Sequence, residues 1–372
     1  MSDDLLKYAL PGVRRLHPYL PGKPVEELQR ELGLEHIVKL ASNENPLGAS
    51  PLGVAAACGE LDGLNWYPDD IGFSLRHKLA ERYRLAPEQI TLGSGSSDVI
   101  DMVARSFLGP GRNAVYSEHS FAMYAIYTQA TGADAHVAAP LPPTNAMPYG
   151  HDLDAMAALI DDNTRVVFIA NPNNPTGTWL DRDALKAFVA AVPDSVVIVL
   201  DEAYTEYVTA DDFPNGLAWL DEFPNLIVTR TFSKIYGLAA LRVGYGMSSA
   251  GLAAVINRVR HPFNVNSLAL AAAAAALDDR EFIARSIANN EDGMKQYLRA
   301  FEEMGLHSIP SVGNFLCVAL DRPGAEVYEA MLRRGVIVRP VANYKLPQHL
   351  RITIGSEDEN AICIDALKAC LR

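Results

Sequence analysis

Residues 196–204 read VVIVLDEAY: five apolar residues, four of them β-branched, then two acids, an alanine and a tyrosine. A run without polar alternation suits a strand covered on both faces, as parallel strands are. The same grammar recurs on either side of it. TRVVFIA (164–170) precedes NPNNPTG (171–177), and the apolar run at 226–230 precedes TFSK (231–234). QITL (89–92) precedes GSGSSD (93–98), and a further apolar run lies at 113–117. Helical patterns stand between these runs at 73–84, 97–107, 152–160 and 181–191. Strand–helix alternation of this kind predicts an α/β domain with a doubly wound, mostly parallel sheet.

The order changes from about residue 265. Helices fill 267–304, FLCVAL (315–320) follows, then a helix at 325–334, VIVRP, LRITI and a last helix. This predicts a smaller α+β domain. Before the alternation, PGVRRLHPYLPGKPVEEL (11–28) is rich in proline and reads as an irregular arm lying on something else, such as a partner subunit. The expected organisation is an N-terminal arm over 1–45, a large domain over 46–260 and a small domain over 261–372. A chain of 372 residues is long enough for such a pair of cores.

Net charge is −13 and the isoelectric point is near 5.2. Such a surface repels nucleic acid and anionic lipid, so an anionic ligand must be held by a local cluster of donors. Cys58, Cys317, Cys363 and Cys370 form no CxxC pair, and the nine histidines show no metal-ligand spacing. Reduced thiols and no metal are expected. The opening MSDDLLKYAL has acid where a signal peptide needs base, and LALAAAAAAL (268–277) is too short for a membrane span. These readings place the protein in the cytoplasm.

Ligands of doubly wound sheets sit beyond the carboxyl ends of the strands. GSGSSD offers small residues and then the free N–H groups of a helix start, which suits a phosphate. By itself it reads more readily as a helix cap made by Ser96 or Ser97 than as a phosphate site, and it fails the dinucleotide pattern because Asp98 or Val99 stands where the third glycine belongs. NPNNPTG is a rigid turn that aims Asn174 with little freedom. Asp201 ends an apolar run, where a carboxylate is costly unless a cation meets it. Lys234 is one of only nine lysines and stands among Phe232, Ile235 and Tyr236, a setting that lowers an amine's pKa and makes it nucleophilic. Thr231, Ser233 and Arg242 lie near it as phosphate donors. A reactive amine, a phosphate cradle, a partner for a ring nitrogen (Asp201) and partners for a ring hydroxyl (Asn174 and Tyr204) together describe pyridoxal phosphate.

These signatures, with SNENPLG (42–48), YPD (67–69), SKIYGLAALRVGYG (233–246) and LRITIG (350–355), stand in an order that resembles the fold-type I pyridoxal-phosphate aminotransferases over nearly the whole chain. HPYLPGK (17–23) and the RTFSK spelling are most similar to the histidinol-phosphate aminotransferase branch. The resemblance implies that Lys234 links to the cofactor aldehyde, Asp201 holds the ring nitrogen protonated, and Asn174 and Tyr204 bond the ring oxygen. It gives the phosphate to Ser96, Ser97, Ser233 and Arg242, with Thr231 added, and brings Tyr67 to that phosphate from the other subunit of a homodimer with shared sites. Phe121 falls where many relatives have a stacking tyrosine, so the stacking is kept and the hydroxyl lost. Substrate contacts fall to Arg351, assisted by Arg339 and Tyr19, and to Asn43. The implied reaction is transamination between L-histidinol phosphate and 2-oxoglutarate, giving imidazole-acetol phosphate and glutamate. Rival readings are an aromatic amino acid aminotransferase, a phospho-amino-acid decarboxylase on the same scaffold, and a non-catalytic cofactor-binding regulator.

Overall fold

The computed structural model describes residues 3–372. Met1 and Ser2, the first residues of the stretch read for a signal peptide, lie outside the described residues. The large sheet is built from β1 (Ile90–Gly93), β2 (Asn113–Ser117), β3 (Asp134–Ala138), β4 (Thr164–Ala170), β5 (Val197–Asp201), β6 (Leu226–Thr231) and β7 (Gly244–Ser248). Their order across the sheet is β3-β2-β4-β5-β6-β7-β1. Only β7 runs antiparallel to its neighbours. The apolar runs that predicted buried parallel strands are buried throughout in β5 and β6, because helices cover both faces.

Two strands were not legible as strands. β3, DAHVA, is an edge strand whose side chains are mostly exposed, so it carries no apolar run. β7, GYGMS, contains two glycines, which strand propensity disfavours. Its glycines answer to a close approach. A Cβ at Gly244 would lie 2.3 Å from the Ser96 nitrogen, so only glycine lets the helix Ser96–Phe107 start against the sheet.

The small sheet is antiparallel, with β8 (His307–Ile309), β9 (Phe315–Ala319), β10 (Arg339–Val341) and β11 (Leu346–Thr353) in the order β10-β11-β9-β8. Arg339 stands opposite Arg351 across β10 and β11. The helix Arg280–Met304 joins the two lobes: Ile283 and Ile287 pack on the large core, whereas Tyr297, Ala300 and Phe301 belong to the small one. The alanine-rich helix Ser267–Ala276 buries Ala269, Ala272, Ala273 and Ala276 in the large core.

Within the proline-rich N-terminal segment, Val25–Leu32 form a helix closed by Gly33 in the left-handed conformation. Its Leu28 packs with Ala41, Leu332 and Ile337, and Val38–Lys39 pair in parallel with Val336–Ile337. The sequence after the last arm proline is therefore fixed to the small lobe, and this places residues 41–44 between the lobes.

Alternation along a strand sends successive side chains to opposite faces. Asp201 accordingly pairs across to Thr229, while the next residue, Glu202, meets Arg230. Arg230 Nη2 donates to Glu202 Oε2 at 2.6 Å, and both side chains are buried. Glu202 Oε1 also accepts the Gly216 N–H at 3.0 Å. Removing one member would strand a buried charge. Glu202→Ala is expected to lower unfolding free energy by about 3–5 kcal/mol, checked by denaturant titration.

Candidate active site

Strand ends β4, β5 and β6, the start of the helix Ser96–Phe107, and residues 42–44 enclose a cavity of about 360 Å³. Its closed end is Asp201, 5 % exposed. Its open end is Arg242, an exposed residue.

Asp201 accepts hydrogen bonds from Tyr124 Oη at 2.9 Å and Thr229 Oγ1 at 3.1 Å. Among the described residues no lysine or arginine forms an ion pair with it. Burial pushes its pKa up to about 6, against the two hydrogen bonds that lower it. A carboxylate in this position is short of a positive partner.

Lys234 lies on the loop that leaves β6. Its Nζ donates to the Ser42 carbonyl at 3.1 Å and stands 5.5 Å from the centre of the Tyr204 ring. Burial, then the charge of Arg351, lowers its pKa to about 8. A substantial neutral fraction near physiological pH makes this amine a nucleophile.

At the open end, the helix Ser96–Phe107 begins after Gly95 with no side-chain cap. The sequence left open a cap made by Ser96 or Ser97; the structure instead places both inside the first turn, lining the cavity. Gly95 has φ +84°, and a Cβ there would lie 2.5 Å from Arg242 Nη2. Arg242 Nη1 donates to Ser233 Oγ at 3.2 Å, and Thr231 Oγ1 donates to the same oxygen at 3.0 Å. Uncapped helix N–H groups, hydroxyls and a guanidinium thus converge where a phosphate fits.

Between the ends, Tyr204 Oη accepts from Asn43 Nδ2 at 2.9 Å. Asn174 Oδ1 accepts from Arg351 Nη1 at 2.5 Å, which leaves the Asn174 amide N–H groups for a ligand oxygen. Arg351 Nη2 donates to the Ala41 carbonyl at 2.7 Å, and Phe121 lines the wall edge-on to Tyr124. These donors, the lysine and the unpaired carboxylate fit pyridoxal phosphate.

Two of the expected residues lie elsewhere in the chain's own fold. Tyr67 is 81 % exposed and stacks on Phe263, outside the cavity. Arg339 does not line the cavity; its Nη2 donates to the Leu20 carbonyl at 2.5 Å and its guanidinium lies 5.6 Å from the Tyr19 ring centre. Tyr19, which this contact steadies, does line the cavity. Sequence reasoning missed Glu44, Met123, Tyr124 and Thr229. Thr229 had a signal, since it is the residue level with Asp201 on the adjacent apolar run; Tyr124 had none.

A family model described as aminotransferase class I and II matches residues 35–367. The chain belongs to this family. Among its relatives, histidinol-phosphate aminotransferase 2 of Pseudomonas fluorescens (strain Pf0-1) is 58% identical over 373 residues, covering 100% of this chain and 99% of the relative. Histidinol-phosphate aminotransferase 2 of Pseudomonas aeruginosa is 57% identical over 367 residues, covering 98% of each. The crystal structure of the Sinorhizobium meliloti histidinol-phosphate aminotransferase, in complex with pyridoxal-5'-phosphate, superposes with a TM-score of 0.88 at 26% identity over 97% of each chain. A Thermus thermophilus aspartate aminotransferase mutant shares the fold, with a TM-score of 0.83 at 19% identity over 97% of this chain and 99% of that one. The aminotransferase fold of this chain is therefore fold-type I: a large, mostly parallel α/β lobe with a smaller α+β lobe.

The unpaired carboxylate of this aminotransferase has a cost when no cation is bound. Its folded-state pKa is raised from 3.8 to about 6, so the folded chain holds the proton more tightly than the unfolded chain. The destabilisation is absent below pH 3.8, grows between 3.8 and about 6, and is complete above that. It amounts to about 3 kcal/mol. Asp201→Asn is expected to raise the melting temperature of the cofactor-free protein near neutral pH, with the gain vanishing towards the acid end of that window. Thermal unfolding of cofactor-stripped protein against pH checks this.

Proposed function

We propose that the protein transaminates L-histidinol phosphate with 2-oxoglutarate, giving imidazole-acetol phosphate and glutamate, with pyridoxal phosphate as cofactor. The observation that carries this reading is the meeting of Lys234, Asp201, Arg242 and Arg351 in one cavity, in a chain 58% identical from end to end to a histidinol-phosphate aminotransferase.

Pyridoxal phosphate, when bound, supplies an aldehyde for amines and a ring that draws electrons from the substrate Cα–H bond. Lys234 Nζ would hold the cofactor at its aldehyde. The same amine, its pKa lowered by burial, would take up a proton from the substrate Cα and give it back, as base and then acid. Asp201 keeps the ring nitrogen protonated, and Thr229 and Tyr124 fix the carboxylate's orientation. Asn174 and Tyr204 donate to the ring oxygen. Ser96, Ser97, Thr231, Ser233 and Arg242 would hold its phosphate and so anchor the cofactor through non-covalent contacts. Arg351 grips the substrate's anionic end. Its planar fork serves a phosphate ester in one half-reaction and a carboxylate in the other.

The test is single-turnover conversion of the bound cofactor by histidinol phosphate, histidinol, phenylalanine and glutamate. Loss of the substrate phosphate removes at least one charge-assisted hydrogen bond, so histidinol is expected to react about 10- to 10,000-fold less efficiently than its phosphate. If phenylalanine outruns histidinol phosphate, the aromatic aminotransferase reading replaces this one.

We also infer a homodimer with shared sites, working in the cytoplasm, where unpaired cysteines such as the exposed Cys58 stay reduced. Support for the dimer comes from Leu64, Trp66, Tyr67 and Phe73, which are 62%, 76%, 81% and 56% exposed within one short stretch. A lone chain rarely leaves such a stretch to water. Tyr67 would then reach the phosphate of the other subunit. Tyr67→Ala and Lys234→Ala proteins, each strongly impaired, are expected to regain partial activity when mixed, because one site of each mixed dimer is whole. Absence of recovery after confirmed subunit exchange counts against sharing.

A further inference from the structure

We propose that Glu44 is a specificity-determining residue, whose carboxylate accepts the ring N–H of an imidazole-bearing substrate. The inference rests on the transaminase reading above and assigns the part of that site which reads the substrate's ring.

The cavity holds three cationic side chains, Lys234, Arg242 and Arg351, and two carboxylates, Asp201 and Glu44. The cations suit the anionic groups of cofactor and substrate. An imidazole needs something else: a hydrogen-bond acceptor for its ring N–H, because that donor loses affinity when it leaves water unpartnered.

Most acceptors in the cavity are already engaged. Asp201 takes one hydrogen bond on each oxygen. Asn174 Oδ1 is taken by Arg351, Asn43 Oδ1 by Thr353 Oγ1, and the Ser42 carbonyl by Lys234. Glu44 differs. Its Oε1 accepts from Lys39 Nζ at 2.8 Å, and among the described residues no hydrogen bond reaches Oε2. Its side chain is 46% exposed, so the open oxygen is reachable. Its backbone is not loose: Asn314 Nδ2 donates to the carbonyls of both Asn43 and Glu44. The carboxylate also stands near the reacting amine, since its charge favours the protonated form of Lys234.

A phenyl ring gives this oxygen nothing and covers it from water. A site built around a hydrogen-bond acceptor therefore rejects a ring that lacks the donor, beyond what shape alone achieves. Glu44 supplies the discrimination between an imidazole substrate and an aromatic one, which the arginines, gripping only the anionic end, cannot.

The test uses the holoenzyme and two unreactive, amine-free ligands, 3-(imidazol-4-yl)propyl phosphate and 3-phenylpropyl phosphate, with dissociation constants measured by calorimetry. Wild-type protein is expected to prefer the imidazole ligand. Glu44→Met, which keeps the length and removes both acceptors, is expected to shrink that preference by about 10- to 100-fold, the worth of one hydrogen bond to a charged group. Glu44→Gln, which retains one acceptor, is expected to recover part of it. The ratio of kcat/KM for histidinol phosphate over phenylalaninol phosphate should fall in step. An unchanged ratio in Glu44→Met, or equal weakening of both ligands, overturns the proposal and leaves Glu44 acting through Lys234 or Lys39. Wild-type protein gives a check that needs no variant. At about pH 8.5, above the ordinary imidazole pKa of ~6.5, methylation of either ring nitrogen removes the N–H and should cost a similar factor. Full-strength binding of either methylated ligand overturns the proposal. If wild-type protein fails to turn over histidinol phosphate, the transaminase reading is what fails, and the ligand ratios still decide the role of Glu44.

Discussion

Asp201 is a buried carboxylate held by two neutral donors and by no cation, and the architecture around it follows from that arrangement. A chain folding alone gains nothing from such a group; burial raises its pKa and leaves a charge without a partner near neutral pH. The surrounding strands nevertheless fix it firmly. β5 is buried along its whole length, its register sets Thr229 level with Asp201, and Tyr124 reaches it from the helix that follows Phe121. On the function proposed above, the deep end of the cavity is pre-formed for a protonated ring nitrogen, and the missing stabilisation would arrive with the ligand.

The other charges are graded along the cavity. Lys234 lies between the carboxylate at the closed end and the exposed Arg242 at the open one, with Arg351 contributing to its lowered pKa. The grading has a structural source. Lys234 and Arg242 come from the loops bounding β6 and β7, and β7 is the one antiparallel strand of the large sheet. Because β7 turns straight back alongside β6, the seven residues between lysine and arginine form a compact loop, and both ends face one cavity. Gly95 and Gly244 then admit the helix start that completes the cradle.

Much of this was legible from sequence because each strand that delivers a site residue is buried on both faces, and an unbroken apolar run followed by an unlike residue is easy to read. Asp201 and Lys234 both stand out in that way. What was hidden was hidden for physical reasons. β7 is written in glycines because a helix presses on it, so it looks like a loop. Val25–Leu32 are helical because Leu28 finds the small-lobe pocket, a contact that the surrounding prolines obscure. Arg339 faces its strand neighbour Arg351 yet holds the arm through the Leu20 carbonyl, a distinction that depends on where two side chains point. Tyr124 and Glu44 are set by tertiary packing and carry no local mark.

The arrangement of Arg351 explains why the small lobe belongs to the active site at all. It sits on β11, in the small sheet, but its guanidinium reaches Asn174 on the loop after β4 and the Ala41 carbonyl on the segment leading to Asn43 and Glu44. One planar group therefore joins three pieces of chain: the small sheet, the large sheet's strand end, and the crossing segment that carries Glu44. A guanidinium so tied is oriented before any substrate arrives, which lowers the entropic cost of gripping an anion. On the roles proposed for Arg351 and Glu44, the same ties would link the two ends of a substrate. The guanidinium fork of Arg351 and the open oxygen of Glu44 are held on one bonded framework, so the distance between them is set by the fold. A ligand with an anion at one end and a ring donor at the other would on that reading be measured for length as well as for charge.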